Sequence, residues 1–191
     1  AGGGAGFDYR MAMGVPDCWF KLVREIRDED WNVGFLWHEL TNRRADERTI
    51  NYVESHDQSL VGGKTLLFEM LDAAIYDTMC RGTPSPTTDR GVALHKLIRL
   101  ATLGTAAHGY LNFMGNEFGH PDWVDFPREG NQYSYHHARR QWHLRDDPAL
   151  YFHCLGAFDT AMIRLFAARG ALENSAPQRL LIDDATKLLA F

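Results

Sequence analysis

Ile50-Asn51-Tyr52-Val53-Glu54-Ser55-His56-Asp57-Gln58 is the stretch on which the reading of this chain turns. Ile50 to Ser55 is a brief run with the Ile, Tyr and Val that favour strands, and it ends in Ser55-His56-Asp57-Gln58. A parallel barrel assembles its chemistry where strands hand over to the loops that follow them, because strand ends converge there while the loops vary. A His and an Asp delivered to that place are candidates for chemistry. On its own the pair is a weak signal, since such a pair also serves to cap the next helix.

Upstream, Gly6 to Met11 reads as a short strand leaving a glycine-rich turn. Trp19, Leu22, Val23 and Ile26 then recur at i, i+3, i+4 and i+7, one face of a helix, with Pro16 and Asp17 suited to its start. The polar segment Asp28 to Asp46, broken by Gly34, reads as a loop with a short helix. Downstream of Gly62-Gly63, a single stripe of Leu67, Met70, Leu71, Ala74 and Ile75 predicts one helix, ended by the prolines between Gly82 and Thr88. Asp89 is placed to cap a third helix, with Leu94, Leu97, Ile98 and Ala101 as its buried face and Gly104 as its close.

Tyr110 to Met114 reads as the next strand, emptying into Gly115-Asn116-Glu117-Phe118-Gly119, whose glycines permit tight backbone beside a ligand. Glu117 there either binds substrate or holds neighbouring loops. A long irregular stretch from His120 to about Asp147 follows; loops of this length tend to be functional or disordered, and its aromatic content argues against disorder. Leu155, Phe158, Met162 and Leu165 mark a fourth helix, stopped by Gly170. Arg179 to Phe191 reads as two short strands joined near Asp183-Asp184. Strands alternating with helices predict an α/β fold with a parallel sheet.

A net charge of −5, from 20 basic and 25 acidic residues, gives neither nucleic acid nor an anionic membrane a reason to bind. No apolar run approaches the ~18 residues of a membrane span. Cys18, Cys80 and Cys154 are far apart and odd in number, which reads as reduced thiols in an intracellular compartment. The first residues are small, Gly-rich and without an initiating Met, as in a chain entered in mid-domain, so the lack of a leader is uninformative about compartment.

Several motif fragments fail on spacing. Gly63-Lys64-Thr65 ends like a phosphate loop, but Gln58 stands where its first glycine belongs. His38-Glu39 opens like a zinc-protease helix, yet Asn42 occupies the second His position. The nine His form no ligand spacing with Cys or Glu, and no Gly-x-Ser-x-Gly elbow occurs. No metal is expected. The loop from Trp123 to Trp142 mixes flat rings with Arg128, Arg139 and Arg140, which suits sugar stacking and hydrogen bonding. Equally, these arginines can pair with Asp122, Asp125, Asp146 and Asp147 to brace the loop.

Taken in order, these segments resemble a known family. Gly4-Ala5-Gly6-Phe7-Asp8-Tyr9-Arg10-Met11-Ala12, then Asp28-Glu29-Asp30-Trp31-Asn32, Leu40-Thr41-Asn42-Arg43-Arg44 and Glu54-Ser55-His56-Asp57-Gln58 are similar to the eukaryotic-type 1,4-α-glucan (glycogen or starch) branching enzymes of the α-amylase clan. Tyr110 to His120 and Asp125 to Leu144 are similar to the same family, and the likeness runs collinearly from about Gly4 to Asp159.

The resemblance implies a partial (β/α)₈ barrel over 1–174, holding strands six to eight with their helices. The first hairpin of a C-terminal β-sandwich would occupy 175–191. It implies a retaining transfer of an α-1,4-glucan segment to a 6-hydroxyl, with glycogen, amylose or amylopectin as substrate and no cofactor. The family's nucleophilic Asp and acid/base Glu end its fourth and fifth strands, which would lie before Ala1. The chain then needs the N-terminal part of the same enzyme as its partner and is inactive alone. Phe7-Asp8 looks like the nucleophile's motif but matches the sixth strand, so Asp8 is not given that role.

Asp57 matches the third carboxylate, which stabilises the transition state by binding the sugar at the cleavage subsite. His56 matches the adjacent sugar-binding His, Gln58 fits the eukaryotic type, and Asn116 and Glu117 are further substrate-binding candidates. An amylase-type hydrolase fragment and a non-catalytic glucan-binding remnant are the alternatives. The implied location is cytoplasmic, or plastidic in a plant. In physical terms the reading asks His56 and Asp57 to face a sugar-sized hollow at the strand ends.

Overall fold

The structure, a computed structural model, describes residues 6–60, 63–172 and 176–191. Gly4, Ala5, Gly62 and the expected boundary between 174 and 175 lie outside them. In chain order the elements are β1 (Arg10–Met11), α1 (Gly14–Glu25), α2 (Val33–Thr41), β2 (Thr49–Tyr52), α3 (Leu66–Leu71), α4 (Ala74–Asp77), α5 (Pro86–Gly104), β3 (Tyr110–Leu111), α6 (Trp142–Asp146), α7 (Tyr151–Ala168), β4 (Leu181–Asp183) and β5 (Leu188–Ala190). Short 3₁₀ turns occupy Asp28–Asp30, Asn116–Phe118, Glu129–Asn131 and His136–Ala138.

The chain divides into two compact units. One comprises 1–53, 99–111 and 164–191; the other comprises 54–98 and 112–163. The first holds a three-stranded sheet in the order β1-β2-β3. Both pairings are parallel, with Arg10 beside Thr49 and Met11 beside Ile50, then Asn51 beside Tyr110 and Tyr52 beside Leu111. The expected parallel α/β arrangement is present at this level. β1 is shorter than expected because its ladder begins only where the Arg10 amide reaches the Arg48 carbonyl.

In this unit Trp19 is fully buried, packs on Trp31 with ring centroids 6.1 Å apart, and donates its Nε1 proton to Thr102 Oγ1 at 2.9 Å. An indole that finds an acceptor keeps the benefit of burial without leaving a donor unpaired. α1 starts at Gly14, so Pro16 sits within its first turn, where a missing amide proton costs nothing. Ile26 leaves the helix in extended conformation instead of continuing its face. α2 is the short helix of the polar segment, capped by the Asn32 side chain accepting from the Phe35 amide at 2.5 Å. The β4–β5 hairpin is antiparallel, and the Asp183 carboxylate accepts from the Ala185 amide at 2.9 Å and the Thr186 hydroxyl at 2.7 Å to shape its turn.

The second unit packs Leu66, Leu67, Met70, Leu71, Ile75, Phe118, Phe152 and Leu155, all buried. The single stripe expected for Leu67 to Ile75 is split into α3 and α4 at Asp72, whose φ of 46° lies outside the helical region. α5 begins at Pro86, with Ser85 Oγ accepting from the Thr88 amide, so Asp89 is a first-turn acid and not the cap. Its buried face also differs from expectation. Leu97 is 52 % exposed, whereas His95, Ile98, Arg99 and Thr102 are buried. On α7, Leu165 is likewise exposed although Leu155 and Met162 are buried.

All three cysteines are free, and burial pushes the Cys18 thiol up to about 11. Among the described residues no helix is long and apolar enough to cross a membrane.

Candidate functional site

β2 and β3 run in the same direction, so the chain leaves both at one end, into Glu54–Gln58 and Asn112–Gly119. The first of these turns is built on its own polar groups. Glu54 is buried and its carboxylate accepts from the Leu66 amide at the head of α3 at 2.8 Å, where the exposed helix amides favour a negative group. Ser55 donates its amide to Gln58 Oε1 at 2.8 Å and accepts the Asp57 amide at its Oγ at 3.2 Å. Gln58 therefore spends its amide oxygen on closing the turn.

The turn leaves His56 and Asp57 outermost. His56 Nε2 lies 3.0 Å from Asp57 Oδ1, and each side chain is more than half exposed. The other face of His56 meets Phe113 from the second exit segment, with ring centroids 6.1 Å apart and planes at 54°. Both strand exits thus contribute to one cluster.

The Gly115–Gly119 turn has the positive φ values, 98° and 76°, that its two glycines supply. Glu117 is turned back onto it, its carboxylate accepting the Gly115 amide at 2.6 Å within the same turn. Asn116 departs from expectation. It is fully buried, its backbone carbonyl accepts a hydrogen bond from His95 Nε2 at 3.1 Å, and its side-chain amide has no hydrogen-bond partner among the described residues. A side chain enclosed in this way does not meet a ligand at the surface. Of the five candidate residues, His56 and Asp57 are the pair the fold presents.

The residues that sequence reasoning missed are Phe113, His120 and, as an individual, Arg140. Arg140 Nε donates to the Met114 carbonyl at 2.7 Å, and its guanidinium lies over the Phe113 ring, 5.2 Å from the centroid. Burial pushes its pKa down, while Glu54, Glu117 and Asp122 oppose that shift. His120, fully buried, is pushed down to about 4 by burial and then by the nearby Arg140 charge. The only sequence signal for Arg140 was membership of a loop rich in arginine and aromatics.

Arg128 braces the loop through Asp125 at 3.0 Å, and Arg145 pairs with Asp146 at 3.1 Å. Arg139 lies over Tyr135 and lines a hollow of about 600 Å³ together with Asp122, Tyr135, His136, Arg140 and Gln141. His56 and Asp57 are not among its walls; Arg140 belongs both to the hollow and to their cluster. Among the described residues no three His, Cys, Asp or Glu group closely enough to hold a metal ion.

Fold and site together define a segment of an α/β protein with a His–Asp pair presented where parallel strands give way to loops. In sequence, this segment is similar along nearly its whole length to curated proteins named 1,4-alpha-glucan-branching enzyme. The enzyme so named from Felis catus is 54 % identical over 192 residues, 99 % of this chain and 27 % of its own length. That of Dictyostelium discoideum is 58 % identical over 161 residues, covering 84 % of this chain and 24 % of its own. That of Solanum tuberosum is 48 % identical over 190 residues, 99 % and 22 %. The chain thus spans about a quarter of the length of these curated relatives. No protein-family model matches it.

Proposed function

We propose that this chain is part of a 1,4-alpha-glucan-branching enzyme, and that Asp57 is one of the carboxylates at its cleavage subsite. The observation that carries this reading is the open His56–Asp57 pair beyond the end of β2, in a chain whose relatives bear that name. On this reading β1, β2 and β3 are strands six to eight of a (β/α)₈ barrel over 1–174, and β4–β5 opens a C-terminal β-sandwich from 175. The parallel order of the three strands supports the first part, and the antiparallel hairpin supports the second. The α-glucan and the N-terminal part of the same enzyme are the partners, and the location is intracellular.

The chemistry follows from charge. Retaining transfer passes through an oxocarbenium-like transition state, reached when one carboxylate attacks the anomeric carbon and another protonates the leaving oxygen. A glucan 6-hydroxyl, in place of water, then attacks the resulting glycosyl ester and displaces the first carboxylate, while the group that had protonated the leaving oxygen takes the hydroxyl proton. Asp57 offers its carboxylate oxygens to the hydroxyls of the sugar that is being distorted. Those hydrogen bonds strengthen as positive charge grows on the ring, so they act on the barrier more than on binding. His56, whose Nε2 lies 3.0 Å from Asp57 Oδ1, restricts that carboxylate and presents its ring to the same sugar.

Asp57→Asn in the full-length protein tests the reading. It keeps shape and removes charge, so turnover measured by the iodine-stain shift on amylose should fall by about two orders of magnitude or more. The circular dichroism spectrum and melting temperature should stay close to wild type. Near-normal turnover in a folded variant would remove Asp57 from the catalytic set.

A further inference from the structure

We propose that Arg140 is a positioning residue: by clamping Phe113 against the His56 ring it sets where His56 and Asp57 stand. This inference rests on the function proposed above.

The His56 ring meets Asp57 at 3.0 Å and the Phe113 ring with centroids 6.1 Å apart. Exposed as it is, His56 takes part of its orientation from whatever holds Phe113. Phe113 follows a strand of only two residues, and the Arg140 guanidinium covers one of its faces at 5.2 Å. A cation over an aromatic face is drawn by the negative charge of the ring surface, more strongly as both lose water. The Arg140 Nε bond to the Met114 carbonyl at 2.7 Å pins the same segment one residue further on. One side chain therefore restrains both the ring and the backbone that carries it.

Two further observations show that the surroundings are shaped around this side chain. A Cβ on Gly115 would stand 2.6 Å from Arg140 Cδ, and the residue has a φ of +98°. Both space and backbone conformation exclude a side chain where the arginine stem passes. In addition, three carboxylates, on Glu54, Glu117 and Asp122, face the guanidinium and oppose the effect of its burial. Lysine cannot substitute, because it lacks both the planar face that stacks on Phe113 and the Nε donor beside it.

The test is a double-substitution cycle on kcat and KM in the full-length protein. Arg140→Met should lower kcat by about tenfold or more, with KM for the glucan changed by less than about threefold, because misplacement acts on the transition state. Arg140→Lys should restore little of the loss. In a Phe113→Leu background the ring through which Arg140 acts is gone, so Arg140→Met should cost less than about threefold further.

Turnover per folded molecule within about twofold of wild type for Arg140→Met would overturn the proposal. So would effects of Arg140→Met and Phe113→Leu that simply multiply, since that is the behaviour of independent structural roles. If Arg140→Met does not fold, Arg140→Lys in both backgrounds gives the same cycle with the charge retained. An Asp57→Asn enzyme of wild-type turnover takes away the function proposed above and this inference with it. An inactive Asp57→Asn enzyme with multiplying Arg140 and Phe113 effects takes away this inference alone.

Discussion

His120 protonates only near pH 4 in the fold, against 6.5 for a free imidazole, because it is buried and faces the Arg140 charge. Its folded pKa is depressed, so the unfolded chain binds the proton first as pH drops. Stability is fully present above about pH 6.5 and is lost progressively as pH falls toward 4, by up to about 3 kcal/mol. Urea unfolding between pH 7 and 4 should show this fall, and His120→Gln should flatten it; an unchanged slope in the variant would place the pH dependence elsewhere. At this scale the legible residues were His56 and Asp57, since neighbours in the chain at a strand end are neighbours in space. Arg140 was not legible. Its partners Phe113 and Met114 lie on another segment, and nothing in the spacing of 113 and 140 brings a guanidinium over a ring.

α5 carries the clearest lesson about elements. Ser85 caps it through the Thr88 amide at 3.2 Å and Pro86 opens it, so Ser85→Ala should destabilise the protein by about 1 kcal/mol. The midpoint of urea unfolding reads this directly, with an unchanged slope; a midpoint equal to wild type would mean the cap contributes nothing. The apolar periodicity of this helix found Ile98 but misplaced Leu97, because its inner face mixes polar residues with apolar ones. His95 donates to the Asn116 carbonyl at 3.1 Å, Arg99 lies over the Tyr110 ring, and Thr102 accepts from Trp19. Polar residues with such partners are stable when buried, but hydropathy scores them as surface. The break between α3 and α4 is hidden for a related reason. Asp72 interrupts the helix through its backbone conformation, and the apolar stripe runs on across it.

At the scale of the molecule, the sheet has three short parallel strands, and among the described residues β1 and β3 have no strand beyond them. Parallel sheets are ordinarily covered on both faces and continued at their edges. Leu97, Leu100, Tyr76 and Phe35 are exposed as well, in a chain about a quarter as long as its relatives. This 191-residue segment expressed alone should therefore associate in solution and enhance ANS fluorescence. Light scattering after size exclusion, with ANS titration, checks it; a monomeric, ANS-silent segment would show that these surfaces are not a liability.

The alternation of strands and helices, the terminal hairpin and the position of the His–Asp pair were all written in local patterns. They depend on residues within a few positions of one another, where chain geometry alone dictates proximity. Which of the candidate side chains stay open, which polar residues are buried, and the Arg140–Phe113–His56 contact were settled by folding. Each depends on partners remote in sequence, 83 residues apart for Trp19 and Thr102, and the worth of a buried polar group is set by the partner it meets rather than by its own identity.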